Sequence, residues 1–211
     1  MLRVIITDDH PVVVKGLSEI ISEGFHDVTI DISSKGYELL NKISNNDYDI
    51  VLLDISLPDI NGLEILKEIK KKKSKLHVLI LSMYPEEVYA ARALKNGAQG
   101  YLTKLSAPDE LLEAIKKILS GKKYVSPAFA EKLMLDFESD TDKLPHENLS
   151  DRELQVLSMI GKGKAVKEIA KELHLSANTV RTYRARILEK IGVEGTGELI
   201  HYAITHNLTT Q

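Results

Sequence analysis

The stretch LRVIITDDHPVVVKGLSEI, residues 2–20, contains the pattern that recurs through the first 120 residues of the chain. Its first six residues are mostly apolar and partly β-branched, which predicts a buried strand. Asp8 and Asp9 follow where this strand should end, and apolar residues return at helical spacing from Pro11 onward. A strand, a polar turn and a helix in this order form the first unit of an α/β fold.

The same alternation continues along the chain. Four further short apolar runs predict strands, and they read VTIDIS, DIVLLD, HVLILS and GYLT. After the first helix, helical spacing recurs at Lys35–Asn45, Leu63–Ile69, Val88–Leu94 and Leu111–Leu119. Five strands alternating with five helices predict a doubly wound α/β fold, in which a five-stranded parallel sheet is covered on both faces.

After Gly121 the pattern predicts helices without strands. Residues 122–148 hold an amphipathic piece, AFAEKLMLDF, and then the polar run ESDTDKLPHEN, which together predict a helical linker. Ser150 and Glu153 have the spacing of a capping box at a helix start. Further helices are expected at Val166–Leu173, Asn178–Ile191 and Glu198–His206. We therefore expect an α/β domain at 1–121, the linker at 122–148 and a smaller all-α domain at 149–211.

Composition excludes several classes of site. The 211 residues are 43% hydrophobic and include no cysteine, so disulfides, thiolate zinc sites and cysteine nucleophiles are excluded. Acidic residues come too early for a signal peptide, and no apolar run approaches the roughly 20 residues that span a bilayer, so we expect a cytoplasmic protein without a membrane partner. The net charge is −3, yet Gly161–Lys190 holds eight basic and three acidic residues, which predicts a basic face.

Polar residues gather at the predicted strand ends. Asp8 and Asp9 repel each other, so either they are solvated helix caps or a cation lies between them. The carboxyl ends of parallel strands form one edge, where Asp54, Ser82 and Lys104 should join them. Magnesium prefers carboxylates and phosphate oxygens, and it would relieve the repulsion. Asp54 is then a candidate nucleophile toward phosphorus, with the hydroxyl and the amine binding phosphoryl oxygens.

The segments VIITDDHP, VLLDISLPDINGLEIL, LILSMY and GAQGYLTK, in this order, resemble the receiver domain of bacterial two-component response regulators over about residues 1–120. The resemblance implies that Asp54 accepts phosphate from a histidine kinase. It also implies a magnesium site formed by Asp9, Asp54 and the backbone carbonyl of Ser56, with Asp8 nearby through water.

The same resemblance implies a switch. Ser82 and Tyr101 would form the switch pair, and Lys104 would hold the phosphoryl group. One position departs from the family pattern, because receivers usually have proline after this lysine and Leu105 stands here. The geometry of the loop after Lys104 is therefore left open.

Residues 149–193 resemble the LuxR-type helix-turn-helix of the NarL/FixJ response regulators. A solvated basic helix face is the simpler explanation of a lone arginine cluster, but the scaffold helix and turn before it favour a DNA reader. Arg181 and Thr182 are the expected base readers, Lys167, Thr179 and Lys190 are expected at phosphates, and Arg184–Arg186 should face solvent. The expected DNA-contact set is Lys167, Ser176, Asn178, Thr179, Arg181, Thr182, Arg184, Ala185 and Lys190.

These features predict a phosphorylation-controlled transcriptional regulator, not an enzyme beyond its own phosphorylation and dephosphorylation. We expect it to bind promoter DNA as a homodimer when active, partly through apolar residues of Glu198–His206, with RNA polymerase as a candidate further partner. A phosphohydrolase with an aspartate nucleophile is the alternative from another class, although its pattern has a second acid where Ser56 stands. A DNA-binding regulator that is never phosphorylated is a third possibility.

Overall fold

The computed structural model describes residues 1–138 and 144–209. The chain divides into two compact units, Met1–Ala130 and Glu131–Gln211. Part of the predicted linker, residues 139–143, lies outside the described residues.

The first unit alternates strands and helices as expected. The strands are β1 (Leu2–Thr7), β2 (Val28–Ser33), β3 (Ile50–Asp54), β4 (His77–Ser82) and β5 (Gly100–Thr103). The helices are α1 (Pro11–Gly24), α2 (Gly36–Asn45), α3 (Gly62–Lys72), α4 (Glu86–Lys95) and α5 (Ala107–Leu119). All four strand pairings are parallel, in the order β2-β1-β3-β4-β5. The predicted doubly wound α/β fold is confirmed.

The sheet register brings the carboxyl ends of the central strands side by side. Thr7 pairs with Leu53 between β1 and β3, and Asp54 pairs with Leu81 between β3 and β4. Every residue of β3 is buried, as expected for a central strand covered by helices on both faces. The polar residues that end these strands are therefore held by a rigid apolar sheet.

Gly62, at the start of α3, makes a close approach that a larger residue would prevent. Its amide donates to Ile55 O at 2.9 Å, and a Cβ added here would lie 2.1 Å from the backbone oxygen of Asp54. Because backbone cannot move aside as a flexible side chain can, we expect Gly62→Ala to lower the free energy of unfolding by about 1–3 kcal/mol or more.

Gly16 provides the matched control for this substitution. It lies within α1, and no atom comes within 4 Å of a Cβ added there. Gly16→Ala should therefore be neutral or stabilise the protein by about 0.5–1 kcal/mol. Chemical denaturation of the full chain, followed by circular dichroism, measures both; equal effects of the two substitutions would contradict the close-approach argument.

The chain after α5 remains attached to the sheet. The amide of Tyr124 donates to Gln99 O at 2.8 Å, and the amide of Tyr101 donates to Tyr124 O at 3.1 Å. Tyr124 therefore forms a parallel bridge beside β5. Its hydroxyl donates to Glu110 at 2.6 Å. Helix α6 (Pro127–Glu138) follows. The first unit thus extends past residue 121, where the sequence predicts the domain boundary, because the buried Tyr124 packs on this core.

The second unit is helical in its described part. A short 3-10 helix (Pro145–Asn148) precedes α7 (Asp151–Gly161), α8 (Val166–Glu172), α9 (Ala177–Ile191) and α10 (Thr196–Thr205). The predicted capping box is present, since the Ser150 side chain accepts from the amide of Glu153 and the glutamate accepts from the amide of Ser150. Among the described helices, none is both long and apolar enough to cross a membrane.

Candidate functional site

Three charged side chains meet at the carboxyl edge of the sheet. Lys104 Nζ lies 2.7 Å from Asp54 Oδ2 and 2.7 Å from Asp8 Oδ2. All three side chains are buried, with exposed fractions of 7% for the lysine, 2% for Asp54 and 1% for Asp8. The amide of Lys104 donates to Ser82 O at 2.8 Å, which fixes the start of its loop against the end of β4. The predicted convergence of strand-end groups is thus present for these residues.

Burial dominates the electrostatics of this cluster. It raises the pKa of Asp54; the charge of Lys104 opposes this rise, and the charge of Asp8 adds to it. Burial alone would lower the pKa of the Lys104 amine, but Asp54 and Asp8 raise it above its usual range. One buried ammonium thus compensates two buried carboxylates, which leaves the cluster with excess negative charge and disposed to take up a cation.

A histidine that the sequence did not suggest joins Asp8, Asp9 and Asp54, and we call these four residues the acidic cluster. His10 Nδ1 lies 2.9 Å from Asp9 Oδ1 and 3.1 Å from Asp8 Oδ1. Ligand atoms of these three residues and Asp54 lie within 4.8 Å of one another, so the group could hold a metal ion. The only sequence signal for His10 is its position directly after the aspartate pair.

Ser82 and Tyr101 are both buried beside the loop that follows β4. Ser82 Oγ accepts from the amide of Tyr84 at 3.1 Å. The Tyr101 ring has no exposed surface, and its hydroxyl donates to Tyr84 O at 2.8 Å. Burial raises the pKa of this phenol above its usual range. The backbone of Tyr84 therefore links the two residues of the predicted switch pair.

Two loop residues of the predicted site take different positions. The backbone amide of Ser56 contributes a hydrogen bond to the carboxylate of Asp54. Leu105, which stands where the family usually has proline, is 79% exposed. None of the peptide bonds among the described residues is cis, so the Lys104–Leu105 bond is trans.

The second candidate site is the exposed face of α9. The Ser176 side chain accepts from the amide of Thr179 at 3.0 Å and caps the helix, as its predicted turn requires. Arg181 donates to Asn178 Oδ1 at 2.7 Å, so two predicted contact residues share one face. Thr182, Ala185 and Lys167 are also exposed. Val180, Ile187 and Ile191 are buried on the opposite face.

The three arginines of α9 differ in their surroundings. Arg184, which the sequence places toward solvent, is instead directed to α10: its Nε donates to Thr196 Oγ1 at 2.9 Å. The physical reason is helical geometry, since Arg184 lies near the buried stripe. Arg186, which is absent from the predicted contact set, is exposed and lines an open depression of about 350 Å³ together with Asn178, Thr179, Thr182 and Tyr183.

Lys190 has a structural partner. Its Nζ lies 2.7 Å from Glu153 Oε2, and that glutamate side chain is only 3% exposed. Burial alone would raise the pKa of Glu153, but its bonds with Lys190 and Ser150 lower it below the usual value. The amine predicted at a DNA phosphate thus holds α9 to α7.

The ion pair makes stability depend on pH. Because the pKa of Glu153 is lowered in the folded state, its contribution is present above the usual glutamate value and is lost as pH falls through the lowered value. We expect Lys190→Met to lower the free energy of unfolding by about 1 kcal/mol at neutral pH, since solvent screens the partly exposed amine. The difference should shrink in acid. Denaturation from pH 7 to pH 3 measures it, with the exposed Lys171→Met as control; a difference independent of pH would contradict the assignment.

Comparison with known proteins identifies both units. A family model described as the response regulator receiver domain matches residues 4–116. A second model, described as bacterial regulatory proteins of the luxR family, matches residues 147–203. The chain belongs to the response regulators. As a member of this family it combines a receiver with a LuxR-type DNA-binding domain, as the sequence resemblance implies.

Relatives of this response regulator match along nearly its full length. Response regulator UvrY of Escherichia coli (strain K12) is 35% identical over 99% of this chain and 96% of its own length. Response regulator GacA of Pseudomonas aeruginosa is 31% identical over 99% of this chain and 98% of its own. Among solved structures, Salmonella typhimurium RcsB is 27% identical, with a TM-score of 0.58 over 97% of this chain and 98% of RcsB. The two-domain architecture is therefore shared.

Proposed function

We propose that this response regulator is a phosphorylation-controlled transcription factor, in which Asp54 accepts a phosphoryl group from a histidine kinase. The observation that carries the proposal is the buried contact of Lys104 with both Asp54 and Asp8, in a chain that also has a LuxR-type domain. A related structure supports it: RcsB of Salmonella enterica is described as bound to the promoter rprA in the presence of the phosphomimetic BeF3−. A cytoplasmic location agrees with these partners.

The residues at the sheet edge have complementary roles in phosphoryl transfer. A carboxylate oxygen of Asp54 attacks phosphorus, and the bond from phosphorus to the nitrogen of the kinase histidine breaks. Lys104 neutralises the phosphoryl oxygens as a point charge, and Ser82 Oγ is placed to donate to one of them. In this state Ser82 Oγ accepts from the amide of Tyr84, and its hydroxyl bonds with the Tyr101 hydroxyl. Donation to a phosphoryl oxygen would therefore replace the bond with Tyr101. The arrangement stabilises the new charge without a further catalytic base.

The acidic cluster fits Mg²⁺. Asp54 Oδ1 is buried, and no side chain among the described residues donates a hydrogen bond to it. Carboxylate oxygens are the ligands that this ion prefers. We assign Asp9, Asp54 and the carbonyl of Ser56 as its ligands, with Asp8 nearby through water. When bound, the cation neutralises charge on the transferred phosphoryl oxygens.

Ser82 and Tyr101 couple phosphorylation of Asp54 to a change at the surface. A phosphoryl group adds about −1.5 to −2 charge at neutral pH, which draws the hydroxyl of Ser82 toward it. Because Ser82 Oγ accepts from the Tyr84 amide and Tyr101 donates to the Tyr84 carbonyl, this movement changes the loop before α4. The Tyr101 ring is already buried, so the switch adjusts an existing contact.

The output is DNA binding as a homodimer. Arg181 and Thr182 are exposed on α9 and are our proposed base readers. In α10, Leu199 and Ala203 are buried whereas Ile204 is 57% exposed, which leaves an apolar side chain for a second copy. A two-fold dimer favours an inverted-repeat site. RNA polymerase remains a candidate further partner.

A hydrolase is less well supported. The family comprises DNA-binding transcription regulators, and Ser56 stands where aspartate-nucleophile hydrolases have a second acid. A regulator that is never phosphorylated would have no need of the cluster formed by Asp8, Asp54 and Lys104. A comparison of DNA affinity with and without a phosphodonor distinguishes a regulator that is never phosphorylated from the phosphorylation-controlled one that we propose.

The test compares DNA affinity before and after treatment with acetyl phosphate and Mg²⁺. We expect the treated wild-type protein to bind an inverted-repeat promoter fragment about 5- to 150-fold more tightly, the usual range of allosteric coupling. Tyr101→Phe keeps the buried ring and removes the bonds of its hydroxyl with Tyr84 O and Ser82, so the gain should shrink while phosphoryl uptake continues. Fluorescence anisotropy measures affinity. An equal gain in Asp54→Asn, or no gain in the wild type, would contradict the proposal.

A further inference from the structure

Lys70 is a half-buried lysine at the end of the sheet away from Asp54. It lies in the last turn of α3, and its Nζ donates to Leu76 O at 2.5 Å and to Gln99 Oε1 at 3.1 Å. Leu76 directly precedes β4 and Gln99 directly precedes β5, so the amine bridges the chain entering two neighbouring strands. Gly97 lies against its stem, since an added Cβ would be 3.1 Å from Lys70 Cγ. The side chain is therefore held in place.

The partners of Lys70 suit a neutral amine. Both are uncharged oxygens, and the two N–H groups of a neutral amine satisfy both of them. No carboxylate forms an ion pair with Lys70 among the described residues, whereas the neighbouring Lys71 pairs with Glu68 at 2.6 Å. A half-buried ammonium without a counter-ion is disfavoured relative to the neutral amine, because it loses part of its hydration. Burial accordingly lowers the pKa of Lys70 to about 8.

The charged groups near Lys70 do not restore its proton. His77, at the start of β4, has a pKa lowered first by burial and then by the positive charge of Lys70. The charge of Asp49 opposes this lowering of the His77 pKa, and the Asp49 carboxylate accepts from the amide of Arg3 at 2.7 Å. A neutral histidine and a carboxylate engaged elsewhere leave the lysine nucleophilic near neutral pH.

We propose that Lys70 is an acylation site for a small activated acyl donor of the acyl phosphate class. The neutral nitrogen attacks the carbonyl carbon, the N–C bond forms, the C–O bond to phosphate breaks, and phosphate leaves. One amine proton passes to water. The amide product keeps a single N–H, so either Leu76 O or Gln99 Oε1 loses its donor. Acylation therefore removes a bond that ties the last turn of α3 to the chain entering β4 or β5.

Acetyl phosphate labelling of full-length Asp54→Asn tests this site, because the substitution removes phosphoryl transfer to the aspartate. Magnesium is omitted, and peptide mapping measures the acetylated fraction at each lysine from pH 7 to pH 10. We expect the Lys70 rate to level off near pH 8, where its neutral fraction saturates. The exposed Lys72 on the same helix is the internal control, and its rate should keep rising about tenfold per pH unit, as for an ordinary lysine.

Gln99→Glu separates the proposed cause from simple accessibility. The substitution places a carboxylate beside Lys70 Nζ in nearly the same volume, and its oxygen can still accept from the amide of Val78, as Gln99 does at 2.8 Å. The new charge favours the ammonium, so Lys70 labelling at pH 7.5 should fall by about tenfold for each unit that the pKa rises. Unchanged labelling in this variant, or a Lys70 rate that parallels that of Lys72 at every pH, would overturn the proposal.

Discussion

Asp54→Asn should abolish phosphoryl uptake from a small phosphodonor. In the wild-type protein with acetyl phosphate and Mg²⁺, we expect intact-mass spectrometry to find one added phosphoryl group, which base removes because it is an acyl phosphate. The amide of the variant retains the shape of the carboxylate but lacks its nucleophilic charge. Asp54 is 2% exposed and contacts Lys104 at 2.7 Å. The substitution removes the reacting carboxylate, and Asp8 remains as a counter-ion of Lys104.

Asp47→Asn is the matched control, because Asp47 is 93% exposed and pairs with the surface residue Lys73. This variant should be labelled like the wild type. Labelling of Asp54→Asn at the wild-type level would refute the assignment of the phosphoryl acceptor. Removal of Mg²⁺ by a chelator should slow uptake by the wild type, since the acidic cluster would then lack the charge that balances the incoming group.

The fold of the first unit could be predicted because each level of its sequence agrees with the others. β3 is apolar up to its last residue, Asp54, and is flanked by amphipathic helices, so the period of apolar residues identifies both the strand and the layers around it. The edge on which the site lies follows from topology, since parallel strands end together. The extension to Tyr124 could not be predicted in this way, because a single bridge residue has no periodicity.

The position of a site residue could be predicted where the backbone fixes it. It could be predicted less well where contacts between side chains determine which residue is available. Asp8, Asp54 and Lys104 end strands, so their convergence follows from the sheet. Arg184 and Lys190 lie on a basic helix, but their contacts with Thr196 and Glu153 join segments separated along the chain. Charge and helical spacing indicate which residues could reach DNA. Tertiary packing determines which of them already bind other residues of the protein.

The largest effect expected on the output side is the loss of sequence preference in Arg181→Ala. Arg181 is exposed on α9 and its guanidinium donates to Asn178 Oδ1 at 2.7 Å, which orients the group that we propose reads a guanine edge. Removal of one such contact should weaken binding to the specific site by about 1–3 kcal/mol, or about 5- to 140-fold. Binding to random DNA should change far less, because that binding depends mainly on phosphate contacts.

Lys167→Ala provides the contrast for this prediction. Lys167 is exposed on α8 and is our proposed phosphate contact, so its loss should weaken specific and random sequences alike and reduce the slope of log affinity against log salt by about 1. Lys171→Ala, an exposed lysine on the same helix, is the control for a general loss of charge. Anisotropy titrations on specific and random duplexes at several salt concentrations distinguish the roles. If Arg181→Ala and Lys167→Ala lowered affinity equally on both duplexes, Arg181 would be a phosphate contact, and base recognition would have to be assigned to other residues of α9.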